Sequence, residues 1–342
     1  MHKGWRWAGA ALGLALGAAA AGLPVFNGWQ AERNWQAQVA QADRALSAGA
    51  ATGANARIVE YRRGLYRSTV STELVVPAAL LTPGGRESLG LTASASLRWV
   101  LDQTVRHGWR GVRFDGDLRA VGALAPVMAR LGGDAARIGV RGRLGFDSQS
   151  LVIDAGPLAG RTGGVDQLRL EANSALDRAG RLQGDLRLTG EGLDLPGLPR
   201  ANGQAVLHVE RLDTAALNQG AAAPWRSTLA ALAAGAPRFA LTRLRLETAD
   251  GDAMHATANL RVQPLLAERL REGATGMALW EALRLDTELV IDQAMVEALP
   301  NEAQAWLHQG RAFGFLRRRE GTWRLALALE EGQLRLDDSP PR

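Results

Sequence analysis

The residues of this chain that could do chemistry gather most densely at Tyr61-Arg62-Arg63-Gly64-Leu65-Tyr66-Arg67-Ser68. Arg62, Arg63 and Arg67 surround one glycine, and the protein's 2 tyrosines, Tyr61 and Tyr66, stand on either side of it. Two uses fit. Gly64 permits a tight bend from which the arginines clamp carboxylates of neighbouring strands. Alternatively the guanidinium forks, which match carboxylate and phosphate geometry, form an anion or headgroup site. Elsewhere candidates are sparse. The 5 histidines (His2, His107, His208, His255 and His308) give no His-x-x-x-His or His-Glu-x-x-His spacing, so they outline no metal site. Gly-x-Ser-x-Gly is absent, and Ser68, Ser71, Ser94, Ser96 and Ser148 read as strand and turn hydroxyls. Gly84-Gly85, Gly132-Gly133 and Gly163-Gly164 lack the Lys-Ser/Thr of a phosphate loop. Asp337-Asp338 offers solvated carboxylates or a weak cation site. With 0 cysteines, thiol catalysis, thiolate metal sites and a disulfide framework are excluded. The sequence therefore assigns no catalytic residue, no metal and no cofactor.

The elements that must position these residues are mostly strands. Arg57 to Tyr61 and Ser68 to Pro77 alternate with period two and are joined through the glycine bend. Leu89 to Val100 is a third candidate strand, followed by a turn at His107–Gly111 and another strand from Val112. The spacing predicts a helix over Ala120–Leu131 despite Pro126, ended by Gly132-Gly133. Strand patterns return at 136–146, 150–154, 165–173, 180–195 and 205–212, after which Asp213 reads as the cap of a helix over 214–219. A helix is expected at Trp225–Ala234. Asp250-Gly251 between two alternating segments is a hairpin signal. Leu265–Glu272 reads as helix, Ala278–Ile291 as strand, and Asp292 as the cap of a helix that Pro300 breaks; a further helix over Glu302–Gln309 and strands from Gly314 to Leu336 follow. Gly-Asp-Leu-Arg occurs at 116–119 and again at 184–187, a hint of repeated sheet units. The fold expected is mainly β with some α. It is a long antiparallel sheet, curved or elongated, with short interspersed helices and one N-terminal transmembrane helix.

The charge balance is 40 Lys plus Arg against 35 Asp plus Glu, or +5. A pI near 10.6 reflects the preference for Arg over Lys. The charges are dispersed and aromatics make up 5%, which argues against nucleic-acid binding.

Ala8 to Phe26 is a run of 19 residues without a charge, preceded by His2, Lys3 and Arg6. As a helix it would reach roughly 28 Å, close to the hydrocarbon core of a bilayer. Positive charge before the run favours keeping that end in the cytoplasm and exporting the rest. Ala19-Ala20-Ala21 also fits the cleavage site of a signal peptide, although the run is longer than usual for one. Both readings place the body outside the cytoplasm. The expected division is a membrane anchor over 1–28, a connecting amphipathic helix over 29–55, and a strand-rich body over 56–338, with lobes at 56–200 and 201–338.

Residues Tyr61 to Ser68 resemble the Tyr-x-Arg-Gly-Leu-Phe-x-Ser stretch of the YdgA-like bacterial proteins, which also begin with a membrane span and a helix. The closing segment from Gly314-Phe315-Leu316-Arg317 through Thr322–Leu336 is similar to that family's last hairpin. Asp337-Asp338 departs from its usual Asn-Gly ending, and Arg67 replaces a smaller residue. The resemblance implies an inner-membrane, single-pass protein facing the periplasm of a Gram-negative bacterium. More distantly, the repeated strands behind an anchor are similar to AsmA-like proteins, which implies a sheet that shelters lipid chains.

Taken with the one-sided Leu and Val faces, the expectation is a non-enzymatic envelope protein holding a lipid or other apolar ligand on a concave sheet. Its contacts would be the membrane, through residues 8–26, and lipid or another envelope protein. The alternatives are a scaffold that binds envelope proteins through the sheet and, last, a hydrolase.

Overall fold

The computed structural model describes residues 53–336, apart from 65–66, 82, 84–85, 88–89, 109–110, 133–136, 146, 161–162, 195–197 and 214–224, and parts of a helical segment between 32 and 43. The apolar run Ala8–Phe26, the helix expected after Asp213, Leu65, Tyr66 and Asp337-Asp338 lie outside the described residues. Among the described residues no helix is long and apolar enough to cross a membrane. Contacts divide the chain into two compact units, Met1–Thr162 with Asp166–Ser174, and Gly163–Val165 with Ala175–Arg342.

The first unit is built on β1 (Asn55–Arg62), β2 (Arg67–Pro77), β3 (Ser96–Gly108), β4 (Gly111–Val121), β5 (Arg137–Leu144), β6 (Ser148–Gly156) and β7 (Gln167–Leu176), hydrogen-bonded in that order. Pairing from β1 through β6 is antiparallel throughout. Alternation sends Val70, Val105, Val112, Phe114 and Val140 to one face, where they form a buried cluster with Ile58, Tyr61 and Leu151 against it. Trp35, from the N-terminal helical segment, meets Phe114 edge to face at 5.9 Å. The same segment contributes Asp43, whose carboxylate accepts the Ala56 N–H at 2.9 Å and fixes the entry to β1. A second cluster puts Leu97 against Leu124 and Val127, the latter from α1 (Ala125–Gly132).

Two expectations for this unit need correction. The third strand is Ser96–Gly108, not Leu89–Val100. Its partner β2 stops at Pro77, which faces Ser96, so Leu91 to Ala95 has no strand to pair with. His107 is consequently in β3, opposite Val112, and not in a turn. The helix expected from Ala120 begins at Ala125, because Ala120 and Val121 pair with Trp99 and Arg98. Pro126 falls in the helix's first turn, where its missing N–H costs no internal bond.

The second unit runs β8 (Leu182–Leu193), β9 (Ala201–Leu212), β10 (Arg238–Thr248), β11 (Gly251–Val262), β12 (Leu283–Asp292) and β14 (Thr322–Glu330); the short β13 (Arg317–Arg319) and β15 (Gln333–Leu336) both pair with β14. The Asp250-Gly251 hairpin is present, with Thr248 opposite Gly251. Between the strands stand α2 (Trp225–Ala234), α3 (Leu265–Arg271), α4 (Met277–Trp280), α5 (Gln293–Ala298) and α6 (Asn301–Ala312). Asp292 caps α5 by accepting the Ala294 N–H at 2.8 Å. The strand expected over Ala278–Ile291 starts at Leu283, because Met277–Trp280 forms a helical turn after Gly276, whose φ is 63°. Trp323, 1% exposed, centres the core of this unit with Ile291, Met295, Val296 and Leu316. Its indole N–H donates to Gln293 at 2.6 Å.

Candidate functional site

The bend between β1 and β2 disperses the three arginines of the Tyr61–Ser68 motif. Arg62 Nε donates to Glu60 at 2.6 Å on its own strand. Arg63 pairs with Glu32 of the N-terminal helical segment at 3.8 Å. Arg67 turns to β3, where Nη2 donates to the Thr104 hydroxyl at 3.2 Å. Gly64 holds the bend close: a Cβ there would lie 2.0 Å from the Arg67 carbonyl oxygen, so no other residue fits this backbone.

Ser68 sits in a different environment. It is 1% exposed, and its Oγ lies 2.9 Å from His107 Nε2. The Gly64 N–H reaches the same oxygen at 3.4 Å. Burial pushes the His107 pKa down, which favours the neutral ring. A neutral ring that takes the Ser68 O–H at Nε2 carries its proton on Nδ1, which is buried without a partner. Tyr61 packs beside this pair. Its pKa is raised, first by burial, and Ser68 opposes the shift from nearby, although the phenol oxygen makes no hydrogen bond of ordinary geometry. Tyr61, Ser68 and His107 thus form a small polar cluster beside the valine core.

A serine and histidine at 2.9 Å make the contact from which a nucleophile can be activated. Activation also needs substrate access and a group that orients the far ring nitrogen. Ser68 is covered, and among the described residues His107 Nδ1 has no acceptor. Sequence spacing gave no sign of this pair, because the two residues are 39 positions apart and meet only through the β2–β3 register.

The polar face of the same sheet is laced by ion pairs. Glu73, 2% exposed, accepts from Arg57 of β1 at 2.7 Å and from Arg98 of β3 at 2.8 Å. Its carboxyl pKa is lowered, chiefly by Arg98 and then by Arg57. Asp102 takes Ser71 and Arg119, and Asp154 takes Arg141 at 2.8 Å. In the second unit His208, an isolated strand residue by sequence, bridges Asp185 at 2.7 Å and Glu210 at 3.0 Å. Its pKa is raised, first by Asp185. Asp185 belongs to the second Gly-Asp-Leu-Arg and Arg119, on Asp102, to the first, so each copy has a partner its sequence did not disclose.

The other notable surface is the apolar face of the second unit. Leu186, Leu207, Leu241, Ala258, Thr287 and Leu327 stand directly opposite one another from β8 to β14. A parallel row runs through Leu188, Ala205, Leu244, Ala256, Leu289 and Leu325. Every residue of the first row is only half-buried, and Leu188 in the second is 40% exposed. Full burial returns near Ile291 and Trp323, where α5 and the segment after α6 pack on the sheet.

Fold and site define a protein of antiparallel sheets and short helices, with no metal-ligating cluster among the described residues. Residues 1–138 match the family model described as "Bacterial protein of unknown function (DUF945)", which bears out the YdgA-like resemblance over that part of the chain. No curated protein and no solved structure matches the chain.

Proposed function

We propose that this is a non-enzymatic envelope protein, held at the inner membrane by residues 8–26 with its body in the periplasm, and that the apolar face of the second unit's strands takes up a lipid chain. The observation that carries the reading is the double row of mostly half-buried side chains from Leu186 to Leu327, aliphatic at every position but Thr287. Six strands spaced about 4.8 Å apart make this strip roughly 24 Å long. Apolar surface of that extent is stabilised by leaving water, and an acyl chain, being long, flexible and without hydrogen-bonding needs, suits a strip whose one hydroxyl, that of Thr287, already donates to the Thr257 carbonyl. The charged run-up to residues 8–26 and the family match over 1–138 support a position at the bacterial membrane, where such chains are abundant.

The test is lipid analysis of the full chain purified in a non-ionic detergent. Lipid extracted from the protein should exceed that carried by an unrelated single-span protein prepared in parallel. The double variant L207Q/L241Q should lose the excess while keeping the protein folded. Lipid no higher than in the control defeats the proposal. Stable protein neighbours captured by crosslinking, with no bound lipid, favour a scaffold instead.

A further inference from the structure

The polar face of the first unit's strands carries a row of arginines in register. Arg67 of β2 stands directly opposite Arg106 of β3, Arg106 opposite Arg113 of β4, and Arg113 opposite Arg143 of β5. Four arginines therefore stand side by side across about 14 Å of sheet, the width of three interstrand gaps. All four residues are exposed. Like charges directly opposite one another destabilise a sheet. Elsewhere on this face charges of opposite sign are interleaved: Glu73 separates Arg57 from Arg98, Asp154 lies between Arg141 at 2.8 Å and Arg169 at 3.6 Å, and where Asp102 stands opposite Asp117 it is bonded by Ser71 and Arg119. In the row no carboxylate intervenes, and the Arg106, Arg113 and Arg143 side chains pair with no described residue.

A recess of about 330 Å³ opens beside the row. Its lining includes Arg106, Arg113, Arg141 and Arg143 against Asp115 as the single carboxylate, with Thr104 and Ser150 supplying hydroxyls. Planar guanidinium forks present paired N–H donors, the geometry that fits phosphate oxygens. We propose that this row and its recess bind a phosphate-bearing anion through Arg106, Arg113 and Arg143, with Arg67 extending the site along the sheet. The source of the phosphate is either a lipid headgroup or a soluble phosphate compound, since both present the same oxygens. The site lies in the first unit and is independent of the apolar strip of the second.

Full-length protein in non-ionic detergent would be titrated with sodium pyrophosphate and, separately, with mixed micelles carrying phosphatidic acid or, as the phosphate-free match, diacylglycerol. The triple variant R106Q/R113Q/R143Q should bind at least tenfold more weakly. The variant R243Q/R284Q/R335Q, which removes as many exposed arginines from the other unit, should bind within twofold of the parent. Wild-type binding should weaken as salt is raised. The triple variant should unfold no earlier than the parent, because it relieves a self-repelling row; this separates loss of the site from loss of fold. Binding of phosphatidic acid alone identifies a headgroup site, and binding of pyrophosphate identifies one open to soluble phosphate. Undiminished binding by the triple variant, an equal loss in the control variant, or no phosphate-dependent binding of either probe overturns the proposal.

Discussion

Glu73→Gln is the perturbation whose consequence the structure specifies most fully. Glu73 occupies the middle of β2, and its side chain is 2% exposed because two arginine side chains lie over it. Arg57 gives two bonds to Oε2, from Nε at 2.7 Å and Nη2 at 2.6 Å. Arg98 gives Oε1 a bond from Nε at 2.8 Å and a second from Nη2. Glutamine keeps the volume and removes the charge. Breaking a fully buried pair costs about 3–5 kcal/mol, mostly because the surviving charge is left dry. Here the survivors are wet, with Arg57 67% and Arg98 47% exposed, so water takes over most of their donors. The loss should fall near 2 kcal/mol, the worth of a charge-assisted hydrogen bond or two. Its pH dependence follows from the lowered pKa of Glu73. A carboxyl whose folded pKa is depressed adds stability above its unfolded pKa, near 4.3, and loses it as pH falls through the folded value. Urea denaturation of the full chain, followed by tryptophan fluorescence, should therefore separate the parent from E73Q by about 2 kcal/mol at pH 7 and bring them together in acid. Equal stability at pH 7, or a gap that acid leaves untouched, would refute the reasoning.

Gly64→Ala forces a Cβ to within 2.0 Å of the Arg67 carbonyl, so the bend must open; a lowered thermal midpoint, by more than about 1 kcal/mol in stability, is expected, and an unchanged midpoint would count against the bend geometry. His208, with its pKa raised first by Asp185 and also by Glu210, stabilises the second unit fully below its unfolded pKa of about 6.5, and that contribution fades as pH rises through the folded value. D185N should flatten this part of the stability profile, and an NMR titration of His208 should move toward the unperturbed value. Trp323→Ala removes the most buried large side chain of the second unit and should cost about 3–5 kcal/mol in denaturation, whereas Trp323→Phe keeps the ring contact but gives up the bond to Gln293 and should cost less.

Elements with local punctuation could be read from the chain. Asp250-Gly251 marked its hairpin, Asp292 capped its helix, and the helix over Trp225–Ala234 ends where its pattern does. Misreadings arose where a boundary depends on a distant partner. Leu91 to Ala95 alternates as well as any strand, yet Pro77 ends the neighbour it would need. Met277–Trp280 has an apolar texture that suits strand or helix, and the turn after Gly276 decides for helix. The motif at Tyr61–Ser68 stood out by composition, but composition does not say that Arg62, Arg63 and Arg67 go three ways while Ser68 turns inward to His107. The arginine row has the same character. Arg67, Arg106, Arg113 and Arg143 are scattered over four strands, and only the register of three strand pairs aligns them.

The central claim, that the apolar face of the second unit's strands meets lipid, is tested most directly by photo-crosslinking. Full-length protein in membranes would be irradiated with a phospholipid carrying a diazirine on its acyl chain, and the labelled peptides mapped. The account predicts labels on the strands bearing Leu186, Leu207, Leu241 and Leu327, in addition to residues 8–26. Label confined to residues 8–26, with those strands untouched, would contradict it.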